Sequence, residues 1–225
     1  MSDASRSAPA GVPQIEADGP GATARATPAK PAEPASLVRS FVAVPLPAEV
    51  QAAVLAAASD LGSQLPDVKW TRKPENLHVT MAFLGNVAPA RLDALGAALM
   101  TKLASRAAFP VTLQGFGAFP DEAHATTLWT GVQDPEGGLH AVAGELEDVV
   151  QGLGLATEKR AFRPHVTVGR CKGGVAARRA FEPWRGHRFA TVTVSSLDVY
   201  ESRRGGQGST YVLRGQAPLG AACDE

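Results

Sequence analysis

The sequence predicts an α+β fold, on three observations. Apolar runs of strand length are interspersed with stretches of helical periodicity. Adjacent strand runs are often joined by short links. No run leads into the glycine-rich phosphate turn of a doubly wound nucleotide-binding sheet.

The elements follow in chain order. Residues 1–35 are rich in Ala, Pro, Gly, Ser and Thr and nearly devoid of large apolar side chains. Such a segment buries too little surface to offset its ordering entropy and is expected to be disordered. The folded unit is placed at residues 36–216, with a short frayed tail over 217–225. Leu37 to Val44 has strand length and stops at Pro45 and Pro47. Val50, Val54, Ala57 and Leu61 recur at helical spacing, with Gly62 near the end. Val79 to Leu84 reads as a strand closed by Gly85-Asn86. A second helix follows Pro89, with Leu92, Leu95, Leu99 and Leu103 on one face. Residues 109–116 and 126–132 read as strands around the loop Pro120-Asp121-Glu122. A third helix spans 135–153, with Leu139, Val142, Leu146, Val149 and Leu153 in register and Gly152 and Gly154 ending it. Residues 165–170 form a strand, followed by a glycine-rich turn and a short helix. A long run from Phe189 to Tyr200 leads into the polar loop 202–208 and a last strand at 210–213, read as a hairpin.

Lys plus Arg and Asp plus Glu number 22 each, so the formal net charge is zero. No global basic field draws in long nucleic acid, which disfavours a general RNA-binding protein. Cys171 and Cys223 cannot form a disulfide framework or zinc cluster and read as reduced thiols. No stretch reaches the roughly 18 apolar residues of a membrane span, and the start lacks a secretory layout. A cytoplasmic protein without membrane attachment is expected.

The chemistry lies in a pattern that occurs twice. One copy is His78-Val79-Thr80-Met81 and the other His165-Val166-Thr167-Val168. Alternation along a strand puts His and Thr on one face and Val79, Met81, Val166 and Val168 on the other, toward a core. A duplicated half packed on its copy by a pseudo-twofold brings two imidazoles and two hydroxyls to one cleft. Imidazole gives or takes a proton near neutral pH, so one ring can serve as general base and the other as general acid. Thr80 and Thr167 can donate to phosphate oxygens, and Arg170 supplies a cation suited to phosphate. In-line displacement at phosphorus needs base and acid on opposite sides, which a twofold-related pair provides. A five-membered cyclic phosphate is strained, and the usual metal-ligand spacings are absent, so neither metal nor cofactor is expected.

These residues resemble the paired His-x-Thr signatures of the two-histidine phosphoesterase superfamily. Glu75 to Gly85, Gly115 to Pro120, Phe162 to His165, Leu128 to Val132 and Gly208 to Leu213 are similar to the RNA 2′,3′-cyclic phosphodiesterases, also called 2′-5′ RNA ligases. The resemblance runs over about residues 37–213. It implies a bilobal duplicated fold with two antiparallel sheets around a central cleft and helices outside. It implies metal-independent hydrolysis of RNA 2′,3′-cyclic ends to 2′-phosphomonoesters, with His78 as proton donor and His165 as proton acceptor. Thr80, Thr167 and Arg170 would bind phosphate, and the reverse reaction would be a 2′-5′ ligation. The partner expected is an RNA bearing a 2′,3′-cyclic phosphate end, acted on by a monomer. The alternatives are a cyclic phosphodiesterase of a small nucleotide or an ADP-ribose cyclic phosphate, and a non-catalytic nucleotide-binding module.

Other residues receive plainer readings. His124, His140 and His187 are expected at the surface, and Phe83 in the core. Arg203 and Arg204 read as part of a solvated loop, and Cys171 as a bystander. Trp70 and Tyr200 are candidate base-stacking rings that the sequence does not decide.

Overall fold

A computed structural model describes residues 36–157, 161–206 and 208–220. The expected disordered segment 1–35 lies outside the described residues, as does Cys223. Within them, no helix is long and apolar enough to cross a membrane.

The first strand, β1 (Val38–Pro45), is followed by α1 (Ala48–Gly62), the two-residue β2 (Lys69–Trp70), β3 (His78–Val87) and α2 (Pro89–Leu103). Next come β4 (Phe109–Phe119), β5 (Ala125–Gln133) and α3 (Gly138–Gly152). The chain closes with β6 (His165–Val175), α4 (Arg178–Phe181), β7 (Arg188–Val194), β8 (Ser196–Gly205) and β9 (Gly208–Pro218). The helices form where apolar spacing demands a buried stripe. Val50, Val54, Ala57 and Leu61 are buried on α1, and Leu92, Leu95, Leu99 and Leu103 on α2. Helix α3 begins three residues after Pro135 because the Asp134 carboxylate accepts from the backbone N–H groups of Leu139 and His140, at 3.0 and 3.4 Å. Its buried stripe ends on Val150, with Val149 and Leu153 half-buried beside it.

The strands pair in the order β7-β4-β5-β6-β3-β1-β8-β9, with β2 on β6, and every pairing is antiparallel. One half of the sheet is β3-β1-β8-β9 and the other is β7-β4-β5-β6. The two antiparallel sheets of the expected bilobal fold are therefore continuous, meeting at the single residue pair Val79↔Val166. Both valines have no exposure and sit in the core. Helix α2 packs on β8 and β9, while α1 packs on β6 and β7. The chain thus crosses between the halves, and the core under the helices is one cluster.

Several local readings are corrected. The run 189–200 is two strands, broken at Ser195, because residue 196 starts the pairing with β9. Arg203 and Arg204 lie in β8 rather than in a loop, and Arg203 Nε donates to Glu201 Oε1 at 2.6 Å. The turn expected after Arg170 is the continuation of β6, with Gly174 at φ 74°. Residues 217–220 are not frayed: Ala217 and Leu219 are buried, and the Leu219 N–H donates to the Ser195 carbonyl at 2.8 Å. Phe83 is an exposed large apolar side chain, not a core one.

Candidate active site

His78 and His165 each open a strand at the seam between the halves. A single 3₁₀ turn, Pro74–Asn76, delivers the chain to β3 through buried Leu77, whose backbone is already extended. Pro164 does the same before β6, since proline fixes φ and holds the preceding residue extended. The antiparallel pair Val79↔Val166 is the middle residue of both His-Val-Thr motifs. A local twofold therefore runs through that pair and exchanges His78 with His165 and Thr80 with Thr167. With both valines pointing into the core, the four polar side chains share the opposite face. All four are half-buried, as a cleft lining requires.

Each imidazole is held by main chain two residues upstream. His165 Nδ1 lies 2.6 Å from the Arg163 carbonyl oxygen. A carbonyl only accepts, so Nδ1–H donates and the neutral ring carries its lone pair on Nε2. The Asn76 backbone, two residues before His78, acts in the same sense, favouring the protonated ring. The two differ in surroundings. Burial pushes His78 down to about 4 against the Asn76 bond, and the charge of His165 lowers it further. Burial also lowers His165, with the Arg163 bond opposing and the Arg170 guanidinium adding to the fall.

Aromatic rings collar both imidazoles. Phe41 of β1 stacks on His78 at 4.8 Å between centroids, and Tyr211 of β9 meets it edge-on at 5.3 Å. Tyr200 stacks on Phe41 at 5.3 Å and turns its hydroxyl away, donating to Asp198 Oδ2 at 2.9 Å. Asp198 is buried and also accepts from Gln216 Nε2 and Ser196 Oγ. On the other side, Phe119 of β4 presents an edge to His165 at 5.0 Å, and Trp129 of β5 lies at 6.2 Å. Burial raises the Tyr211 phenol pKa, and the charges of Arg170 and Arg39 oppose that rise. Arg170 is exposed and its Nη1 donates to Thr127 Oγ1 at 3.1 Å. The β8–β9 hairpin is tied to the turn before His78, since Asn76 Nδ2 donates to the Ser209 carbonyl at 3.1 Å and Lys73 Nζ to Thr210 Oγ1 at 3.3 Å.

The structure thus brings His78, His165, Thr80 and Thr167 to one face of the seam, with Arg170 further along β6. Trp70 packs over Gly169 with its indole N–H buried, so it is a core wedge. His124, His140 and His187 are exposed, as expected, and Cys171 is buried away from the cleft face. Sequence reasoning did not assign site positions to Phe41, Phe119, Trp129 and Tyr211. Phe41 and Tyr211 are contributed by strands β1 and β9, distant in sequence from His78, and only the aromatic residue type hinted at them. Among the described residues, no three His, Cys, Asp or Glu side chains converge as a metal site would require.

Duplicated antiparallel halves that each contribute one His-x-Thr strand to a shared cleft define a two-histidine phosphoesterase fold. The family model of the 2′-5′ RNA ligase superfamily matches residues 44–206, and the chain belongs to that family. The RNA 2′,3′-cyclic phosphodiesterase of Aeropyrum pernix is 31% identical over 144 residues, covering 63% of this chain and 81% of the relative. That of Geobacillus stearothermophilus is 33% identical over 130 residues, 58% of this chain, and the match spans only 41% of that longer relative. Among solved structures, TT0787 of Thermus thermophilus superimposes with a TM-score of 0.67 at 25% identity, covering 81% of this chain and 98% of its own. Escherichia coli LigT complexed with 3′-AMP gives 0.66 at 23% identity, over the same shares, and so supports the fold.

Proposed function

We propose that this chain hydrolyses the 2′,3′-cyclic phosphate at an RNA end to a 2′-phosphomonoester, with His78 as general acid, His165 as general base and no metal ion. The observation that carries this reading is the Val79↔Val166 pairing, which sets two His-Val-Thr motifs about one local twofold. The relatives named RNA 2′,3′-cyclic phosphodiesterase support the substrate class.

The phosphate sits between the imidazoles. Water attacks phosphorus in line with the P–O3′ bond while His165 Nε2 takes its proton. The P–O3′ bond breaks as His78 protonates the departing O3′, leaving a 3′-hydroxyl and a 2′-phosphate. Both protons then exchange with solvent to reset the pair. Thr80 and Thr167 donate to the non-bridging oxygens, where charge builds in the transition state. The division of labour is the one the family resemblance implies, carried over by position, since the local twofold makes the two motifs equivalent. The Arg170 charge lowers His165 and so favours its neutral form, as a base requires. Burial lowers His78 as well, and an anionic phosphate beside it favours the protonated form that a general acid needs. A 5′-hydroxyl in place of water would form a P–O5′ bond as P–O3′ breaks, giving a 2′-5′ linkage. Release of ring strain into abundant water makes hydrolysis the main direction.

The test is incubation with an RNA oligonucleotide ending in a 2′,3′-cyclic phosphate, in EDTA, followed by assignment of the phosphate position. A 2′-phosphate formed at an undiminished rate is the expected result. Loss of turnover with chelator overturns the metal-free mechanism, and a 3′-phosphate overturns the assignment of the leaving oxygen.

A further inference from the structure

Resting on that reading, the nucleotides before the cyclic end need a surface of their own, and a groove lies on the strands that carry His78 and Phe41. Its lining comes from the far end of the β1/β3 pair and from the segment before β6: Arg39, Phe83, Gly85, Asn86, Ala156 and Thr157 contribute, around a volume of about 310 Å³. That is within the range of small-ligand pockets. The groove lies on the same strand pair as the His78 motif. The Phe83 ring is 6.1 Å from Phe41, which itself stacks on His78. Arg39 stands opposite Asn86 in the β1/β3 pairing, two residues before Phe41.

Three side chains of the groove point to one kind of occupant. Phe83 is an aromatic ring left 36% exposed. It lies on the strand that carries His78, beside buried Leu84, where a polar outward residue would cost nothing. An exposed ring offers a π-face to any base, and stacking on such a ring is sequence-tolerant. Arg39 offers a planar cation for a phosphodiester. Asn86 adds an amide that can meet a base edge. A 2′,3′-cyclic phosphate closes the 3′ end of its chain, so every further nucleotide lies on the 5′ side. One aromatic platform and one cation, beyond the reacting phosphate, match one nucleotide step.

We propose that this groove seats the nucleotide immediately 5′ to the cyclic end, its base on Phe83 and the connecting phosphodiester on Arg39. The site then prefers RNA ends to cyclic mononucleotides. Arg39 and Phe83 act as specificity residues and take no part in proton transfer.

The experiment compares a cyclic-ended dinucleotide with adenosine 2′,3′-cyclic phosphate, using wild type, Arg39→Gln, Phe83→Leu and Phe83→Trp. The ratio of kcat/KM values, dinucleotide over mononucleotide, is expected to fall about tenfold in Arg39→Gln and in Phe83→Leu, through KM of the dinucleotide, a size in keeping with loss of one stacked base. Phe83→Trp keeps the ring and is expected to hold the ratio. A ratio unchanged in Arg39→Gln and Phe83→Leu, or one that Phe83→Trp loses as fully as Phe83→Leu, overturns the groove assignment while wild-type turnover leaves the proposed reaction standing. Wild-type protein that hydrolyses neither substrate overturns both.

Discussion

His78 and His165 are chemically the same side chain placed in unequal surroundings, and the inequality decides what pH does. Burial holds His78 at about 4, and burial with the neighbouring Arg170 charge holds His165 below its usual value. The productive free enzyme carries one proton on the pair, so kcat/KM should trace a bell centred on the acid side of the ordinary histidine value near 6.5. Replacing Arg170 by Gln removes a charge that lowers His165, so its pKa rises and the bell moves to higher pH. A pH–rate series on both proteins checks this, and a bell centred at or above 7 in the wild type would count against the assignment. The two histidines and their threonines were legible in the sequence because the pattern is local and period two. Their main-chain anchors at Asn76 and Arg163 and the collar rings Phe41 and Tyr211 were not. They depend on a turn geometry and on strands distant in the chain.

At the scale of elements, β3 and β6 meet at one residue pair and each leans on a neighbouring strand for support. Strand β6 is steadied by β5, where Trp129 pairs with Thr167 and lies across Gly117 of β4. A Cβ at Gly117 would land on the Trp129 ring. Gly117→Ala should therefore displace the ring that neighbours His165, destabilising the protein by about 1–3 kcal/mol and lowering turnover more than a surface substitution does. Denaturant titration and steady-state kinetics on the variant measure both. The helices were readable because each buries a regular apolar stripe. The break at Ser195 and the extension of β6 past Arg170 were not, because strand limits there are set by pairing with distant strands. Phe83 was misread for a related reason. Irregular register between β1 and β3 around Phe41 and Val42 shifts the simple inward–outward alternation, and the ring turns to solvent.

For the whole molecule, the same His78 burial makes stability depend on pH. A buried neutral imidazole binds fewer protons folded than unfolded, so this group's contribution to stability is fully present above about 6.5 and is lost as pH falls through about 4. Urea midpoints measured between pH 7 and pH 4 should fall accordingly, and His78→Phe should flatten that dependence even if it changes the plateau. The overall architecture also explains how one chain presents two imidazoles related by a local twofold. The halves exchange elements, with α1 reaching across to β6 and β7, so the seam at Val79 and Val166 belongs to one shared core. The central claim is that the two imidazoles at this seam act together on one phosphate. It is tested most directly by single-turnover rates of wild type, His78→Ala and His165→Ala on a cyclic-ended RNA oligonucleotide, with circular dichroism to confirm folding. The account predicts a loss of about 10²–10⁴-fold in each variant with the fold retained, and turnover that survives either substitution would contradict it.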